Sequence, residues 1–330
     1  MRPMEAVARP GSNAPREGGP VDRCAACGAV SLEPRFEVRG EIGDSGLIPT
    51  TKQFGTAMAD IVRCRDCGHM QLDVFPGDAD LRRAYAEAAS EDYVVEEAGQ
   101  RESARRVLVK LERHVSPGRL LDIGPWVGFY MSEAVARGWT VTGIELSEFG
   151  SAYARDRLGL DVRTADLFEV DLPERGFDAV LMGDVLEHLT RVDEALERVR
   201  EWLAPGGALV LLLPDAGSRV ARGLGRRWWS VIPTHVHYFT RASVSHLLGR
   251  HGFRVVDVST DPKAFTVRYY LEKGGGYAPA LSRALVRGAE AMGIADRMWA
   301  PDFRDRMTVI ARREPAGVEL AASPDRTGGN

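Results

Sequence analysis

All four cysteines of the chain fall in two Cys-x-x-Cys pairs, Cys24/Cys27 and Cys64/Cys67, and a glycine follows each pair (Gly28, Gly68). Two thiolates at this spacing can wrap one side of a metal ion. The glycine lets the backbone turn back so that its amides face the sulfurs. Two such pairs with no cysteine left over make an all-thiolate, tetrahedral set, which suits zinc. Four protein ligands leave no open position, so such an ion would fold a module and do no chemistry. Two disulfides or a redox pair are the alternatives. Disulfides fit poorly with a start, residues 1–20, that is rich in Pro, Gly and Arg and has no apolar signal region.

A second set of groups could move a proton. His188 follows the apolar run 177–182, and His235 and His237 lie in the aromatic-rich run 228–240. A neutral imidazole suits proton removal near neutral pH. In an extended chain His235 and His237 share a face, with Val236 on the other. Tyr238 and Phe239 would anchor the backbone beside His237, which makes it the first choice of base, followed by His235 and then His188. The plainer reading is a packed connector with Phe239 in the core.

A third group could hold a ligand. The stretch 120–130 runs from apolar residues through Asp122, Gly124 and Gly128 into the helical pattern Met131, Ala134, Val135. That is strand, tight turn, helix, with glycines where the backbone must turn sharply and approach a ligand. The next strand ends in Glu145, and an acid there is the usual partner of ribose hydroxyls.

These groups need elements to position them. From residue 119 strand and helix patterns alternate: strands near 119–123, 140–145, 161–163, 177–182 and 208–213, helices near 129–137, 147–158 and 192–203. Ser147 and Thr240 are placed to cap helices, and 204–207 reads as the turn before the fifth strand. Helices are predicted over 78–89 and 96–114, the second ended by Pro117-Gly118. Tyr85 and Tyr93 read as tyrosines at a helix seam, with a lid over the ligand as the alternative. Two last strands are expected near 254–259 and 306–311. The insertion 261–303 between them either shapes a pocket or covers the sheet.

Together these residues resemble the class I S-adenosylmethionine-dependent methyltransferases over about 119–256. The family's first motif, roughly Asp-x-Gly-x-Gly-x-Gly, aligns as Asp122, Gly124, Trp126 and Gly128, with Trp126 in place of the middle glycine. The segment 177–189 resembles the fourth-strand motif, and the His-x-His-Tyr-Phe run is similar to one in many small-molecule members. The resemblance implies an α/β fold: a doubly wound, mostly parallel, Rossmann-like seven-stranded sheet, here with a small N-terminal zinc-binding module. It implies S-adenosylmethionine as cofactor, held by Asp122, Gly124, Gly128, Glu145, Leu146, Asp166, Leu167 and Asp184. Asp166 would face the adenine amino group, and Asp184 the methionine part. The activity implied is methyl transfer to oxygen, carbon or nitrogen of a small-molecule acceptor, sugar-like or a secondary metabolite. The alternative is an RNA methyltransferase that grips nucleic acid with its zinc module, for which Arg219, Arg222, Arg226 and Arg227 form a local basic cluster. A non-catalytic binding module has no need of Asp122, Glu145 and Asp166 together.

The composition sets bounds on these readings. The 330 residues, 44% hydrophobic, suffice for an α/β domain and a smaller module. A net charge of −4 supplies no basic field for a dedicated nucleic-acid binder. The longest apolar run, 208–213, is a strand by length, so no membrane partner and a cytoplasmic location are expected. The expected organisation is 1–20 disordered, 21–77 zinc-ribbon-like, 78–118 a helical connector, 119–313 the methyltransferase domain and 314–330 a disordered tail. The sequence is silent on oligomeric state.

Overall fold

A computed structural model describes residues 19–40, 54–87 and 94–315. The expectations of disorder for 1–18 and 316–330, and that for Tyr93, lie outside the described residues.

The chain opens with three short antiparallel strands, β1 (Leu32–Phe36), β2 (Ile61–Cys64) and β3 (Met70–Leu72), which bring the two cysteine pairs together. Helices α1 (Asp78–Ala86) and α2 (Glu97–Leu111) follow. The second is shorter at both ends than its pattern suggested, and it buries Val107, Leu108 and Leu111 on the large sheet. Then the chain alternates: β4 (Arg119–Ile123), α3 (Phe129–Ala136), β5 (Thr140–Glu145), α4 (Glu148–Leu158), β6 (Val162–Thr164), β7 (Phe177–Gly183), α5 (Val192–Trp202) and β8 (Leu203–Pro214). After β8 come α6 (Arg219–Leu224), β9 (His237–Tyr238), α7 (Arg241–Arg250) and β10 (Phe253–Thr260). The insertion holds β11 (Phe265–Thr266), α8 (Val267–Lys273), α9 (Pro279–Ala291) and β12 (Met298–Trp299), and β13 (Arg306–Arg313) closes the sheet.

The seven-stranded sheet has the order β6-β5-β4-β7-β8-β13-β10. β13 runs antiparallel to both its neighbours, and the other pairings are parallel. Strand residues alternate between two cores, as a period of two demands. Leu121, Ile123, Val180 and Met182 pack with α5 and α7, whereas Leu120, Ala179 and Leu181 pack with α2 and α3. The predicted turn at 204–207 is a bulge inside β8. Leu203 pairs with Phe177 and Ala208 with Ala179, so four residues oppose one. The predicted caps form: Ser147 Oγ accepts from the Gly150 amide, and Thr240 and Ser243 make a reciprocal capping box.

The cysteine-bearing sheet is not a separate bead. β3 pairs with β9, Met70 opposite Tyr238 and Gln71 opposite His237, so a segment after the fifth strand completes the small sheet. Trp228, Val231, Val236 and Tyr238 share a core with Ile61 and Leu72. Arg250 of α7 donates to the carbonyls of Ala25 and Ala26.

The insertion is anchored as tightly. Thr266 donates through its amide and hydroxyl to Glu96, and Ala264 N–H donates to Ser103 Oγ. A Cβ on Gly99 would lie 1.9 Å from the Ala264 carbonyl oxygen, so only glycine fits where α2 meets this strand. No helix among the described residues is long and apolar enough to cross a membrane.

Candidate active site

The strand order reverses at β4, whose neighbours are β5 and β7, and a cavity of about 630 Å³ opens at the carboxyl ends of these strands. One half is built by the glycine turn. Gly124 (φ +70°), Trp126 (φ +53°) and Gly128 (φ +85°) all take left-handed backbone, so Trp126 adopts at some cost the conformation that a glycine takes freely. Glu145 fixes this turn. Its carboxylate accepts from the Trp126 amide (2.8 Å) and the Ser147 amide (2.8 Å). Gly128 itself caps α3 behind the turn and does not line the cavity. Asp122, Gly124, Glu145, Leu146, Asp166 and Leu167 do line it. Asp166 accepts from the Phe168 amide (2.6 Å) and pairs with Arg82 of α1 (2.5 Å).

Asp122 is 2% exposed and its Oδ2 has no hydrogen-bond partner among the described residues. A buried, unpaired carboxyl oxygen facing a cavity is what a ligand with hydrogen-bond donors would satisfy. Burial, reinforced by Glu145, pushes the Asp122 pKa up to about 8. An unfolded aspartate ionises near ~3.9. Between those values the unfolded chain has lost a proton that the folded one keeps. Stability therefore falls as pH rises through that window and levels off above it. In ligand-free protein Asp122→Asn should flatten this part of a plot of Tm against pH. An unaltered slope would remove Asp122 from the account.

The other half of the cavity belongs to the insertion and the strand ends. Lys263, Phe265, Tyr269, Tyr270, Lys273 and Trp299 line it, so the insertion shapes the pocket. Asp184 lies at its edge with both oxygens taken, by Arg306 (2.5 Å) and Lys263 (2.6 Å). Burial would raise its pKa, but these two cations hold it well below the usual carboxylate range. Asp184 thus ties the fourth-strand loop to the insertion and to β13.

His188 and His235 line the cavity, their ring centroids 4.5 Å apart. His188 Nδ1 lies 2.9 Å from the Thr234 carbonyl and 2.6 Å from the Tyr85 hydroxyl. Burial lowers the His188 pKa to about 4 and that of His235 well below the ordinary value, so both rings are neutral at pH 7. Tyr85 therefore sits on the wall of the cavity, which the seam reading did not anticipate.

His237, the first choice from sequence, is elsewhere. It is 1% exposed, does not line the cavity, and sits in β9 against His69 (Nε2 to Nδ1 3.2 Å) and Phe75. The shared-face argument needed one extended piece from 235 to 237. The strand begins only at 237, because the His235 amide turns back to the Ile232 carbonyl and the Val236 amide binds that of Glu187.

Sequence reasoning missed Arg82, Lys263, Arg306 and Glu187. Glu187 is fully buried, and burial followed by Asp184 pushes its pKa up to about 8. It lies in the 177–189 segment that resembles the fourth-strand motif. The other three reach the site only through long-range contacts, for which one sequence carries no local signal.

The cysteines form a second centre. Cys24 and Cys67 Sγ are 3.5 Å apart, Cys27 and Cys64 3.6 Å, and all four sulfurs lie within 4.8 Å of one another. Tetrahedral zinc with Zn–S near 2.3 Å has sulfurs about 3.8 Å apart. Gly28 and Gly68, both left-handed, return their amides to the Cys24 and Cys64 carbonyls. Gln71 braces the first knuckle, accepting from the Ala25 amide (2.8 Å) and donating to the Arg23 carbonyl (2.9 Å).

This fold corresponds to a known class. Residues 95–258 match the model of a family described as a methyltransferase domain. That stretch, just under half of the chain, is similar to that family and carries six of the seven strands of the Rossmann-like sheet. Among curated proteins, the ubiquinone biosynthesis O-methyltransferase of Bradyrhizobium sp. (strain ORS 278) is 35% identical over 98 residues, 28% of this chain and 38% of that protein. A probable S-adenosylmethionine-dependent methyltransferase of Mycolicibacterium smegmatis is 30% identical over 118 residues, 36% of this chain and 44% of that protein. The chain thus spans less than half the length of these relatives. Among solved structures, the Burkholderia thailandensis 1,6-didemethyltoxoflavin-N1-methyltransferase is 17% identical, with 76% of this chain and 98% of that one covered and a TM-score of 0.47.

Proposed function

We propose that the protein transfers a methyl group from S-adenosylmethionine to a small-molecule acceptor held under the insertion. The observation that carries this reading is the two-part cavity at the switch point. A glycine turn fixed by Glu145 lies on one side, and a pair of neutral imidazoles under an aromatic cap lies on the other. The residues fit the cofactor. Glu145 keeps lone pairs for ribose hydroxyls, Asp166 faces the adenine end, and the unpaired Asp122 oxygen awaits a donor. When bound, the cofactor supplies an activated methyl group on a sulfonium. The chain then has to align an acceptor atom in line with that methyl, exclude water and take up any proton the acceptor gives up. Alignment alone can be worth an effective molarity of roughly 10⁵ M. His188 and His235, rather than His237, are placed to handle the proton. The cysteine centre fits a structural zinc ion remote in chemistry from this step.

Calorimetry tests the cofactor assignment. Glu145→Ala removes the ribose acceptor and loosens the Trp126 turn, so it should cost at least ~1.5 kcal/mol of S-adenosylmethionine and S-adenosylhomocysteine affinity. Unchanged affinity would place the cofactor elsewhere.

A further inference from the structure

Glu187, His188 and His235 converge beside the acceptor half of the cavity, with their ligand atoms within 4.8 Å of one another. The hydrogen bonding around them assigns the free atoms. A carbonyl only accepts, so the bond at the Thr234 oxygen puts the proton of His188 on Nδ1 and leaves a lone pair on Nε2. His235 Nδ1 is buried and has no partner among the described residues, so a lone pair is available there. Neither oxygen of Glu187 has a hydrogen-bond partner among the described residues, and the residue is 1% exposed. Three groups that offer lone pairs thus face one another out of water, and the proton that burial keeps on the Glu187 carboxyl is the one donor among them. Such groups are costly to bury unless something positive lies between them. The nearest cations, Lys263 and Arg306, are already committed to Asp184.

We infer that Glu187, His188 and His235 hold a divalent transition-metal ion of the zinc type. Two imidazoles and one carboxylate are a donor set for such ions. His188 has its other nitrogen tied to the Thr234 carbonyl, which is the outer-shell arrangement that orients ligating histidines. Three protein ligands leave a coordination position open, and His188 and His235 place it on the cavity side. The group that fits it is an oxygen of the acceptor, a hydroxyl or enol. Coordination would lower the pKa of that oxygen and release its proton to solvent, and the oxygen anion would bond to the methyl carbon as the carbon–sulfur bond of the sulfonium breaks, with S-adenosylhomocysteine as the leaving group. The imidazoles then act as ligands and not as the base. This role rests on the proposed methyl transfer; the ion site does not.

The test uses the full chain, freed of loosely held metal with a mild chelator and then titrated with Co²⁺ under anaerobic conditions. Elemental analysis and visible absorption are read together with S-adenosylmethionine calorimetry. The expected result is two ions per chain. One shows thiolate-to-metal charge transfer or remains zinc, and one shows only ligand-field bands of nitrogen and oxygen coordination. Glu187→Gln keeps the shape of the side chain, and with His235→Ala it should weaken the second ion at least ~10-fold while leaving the first. Saturation at one thiolate-bound ion, or a second ion indifferent to both variants, overturns the site and leaves the cluster a water-filled pocket. A second ion that obeys the variants in a protein that fails to bind S-adenosylmethionine would keep the ion site and sink the methyl-transfer reading.

Discussion

Cys64→Ser is expected to strip zinc from the protein, unravel the small sheet and abolish turnover together. Zinc bound by four thiolates in small modules carries an apparent free energy of about 10–16 kcal/mol, as large as the stability of a whole domain. Cys64 ends β2 beside the β3 hairpin and is fully buried, so its loss removes a ligand from the centre of the sheet. The damage should not stop there. β3 pairs with β9, and the Leu72 amide donates to the Val236 carbonyl, so the backbone that follows His235 is held by the cysteine-bearing sheet. Elemental analysis, limited proteolysis within residues 54–87 and an activity assay would follow the three effects. Zinc-free protein that keeps its Tm and its turnover would show that the cysteines are dispensable to the site.

His235→Ala is expected to lower turnover by ~10²-fold or more while leaving S-adenosylmethionine affinity intact, the usual loss for a group that helps the acceptor shed its proton, directly as base or through an ion it holds. The ring lines the cavity packed on His188 and Tyr238, whereas the Glu145 carboxylate is bonded to the Trp126 turn, so on the proposed reading cofactor binding should not register its removal. His237→Ala should behave differently. Its ring packs against His69, Phe75 and Phe239 in the joint between the two sheets, and truncation would leave a hole and an unpaired His69 nitrogen. A cost of roughly 2 kcal/mol or more in stability, read as a lower Tm, is expected with no selective loss of kcat. If His237→Ala slows turnover at unchanged Tm and His235→Ala does not, the roles assigned here are reversed.

Local chemistry carried much of this protein in its sequence. The alternation of apolar runs and helical patterns set the strands and helices. Asp122, Gly124 and Glu145 marked the ligand side of the sheet, because a turn of that kind needs particular residues at particular places. The two Cys-x-x-Cys-Gly knuckles were equally legible, since each is complete within five residues. What tertiary structure alone decided is which distant groups meet. Asp184 is matched by Lys263 and Arg306 from the far end of the chain, Asp166 by Arg82, and His188 by Tyr85. No periodicity links such pairs. The histidine assignment turned on the same limit. Spacing put His235 and His237 on one face, but the pairing of β3 with β9 drew His237 into the small sheet and left His235 at the cavity. Strand pairing is a contact between segments some 165 residues apart, and it is set by which apolar faces can be buried together, not by the residues on either side of the histidines.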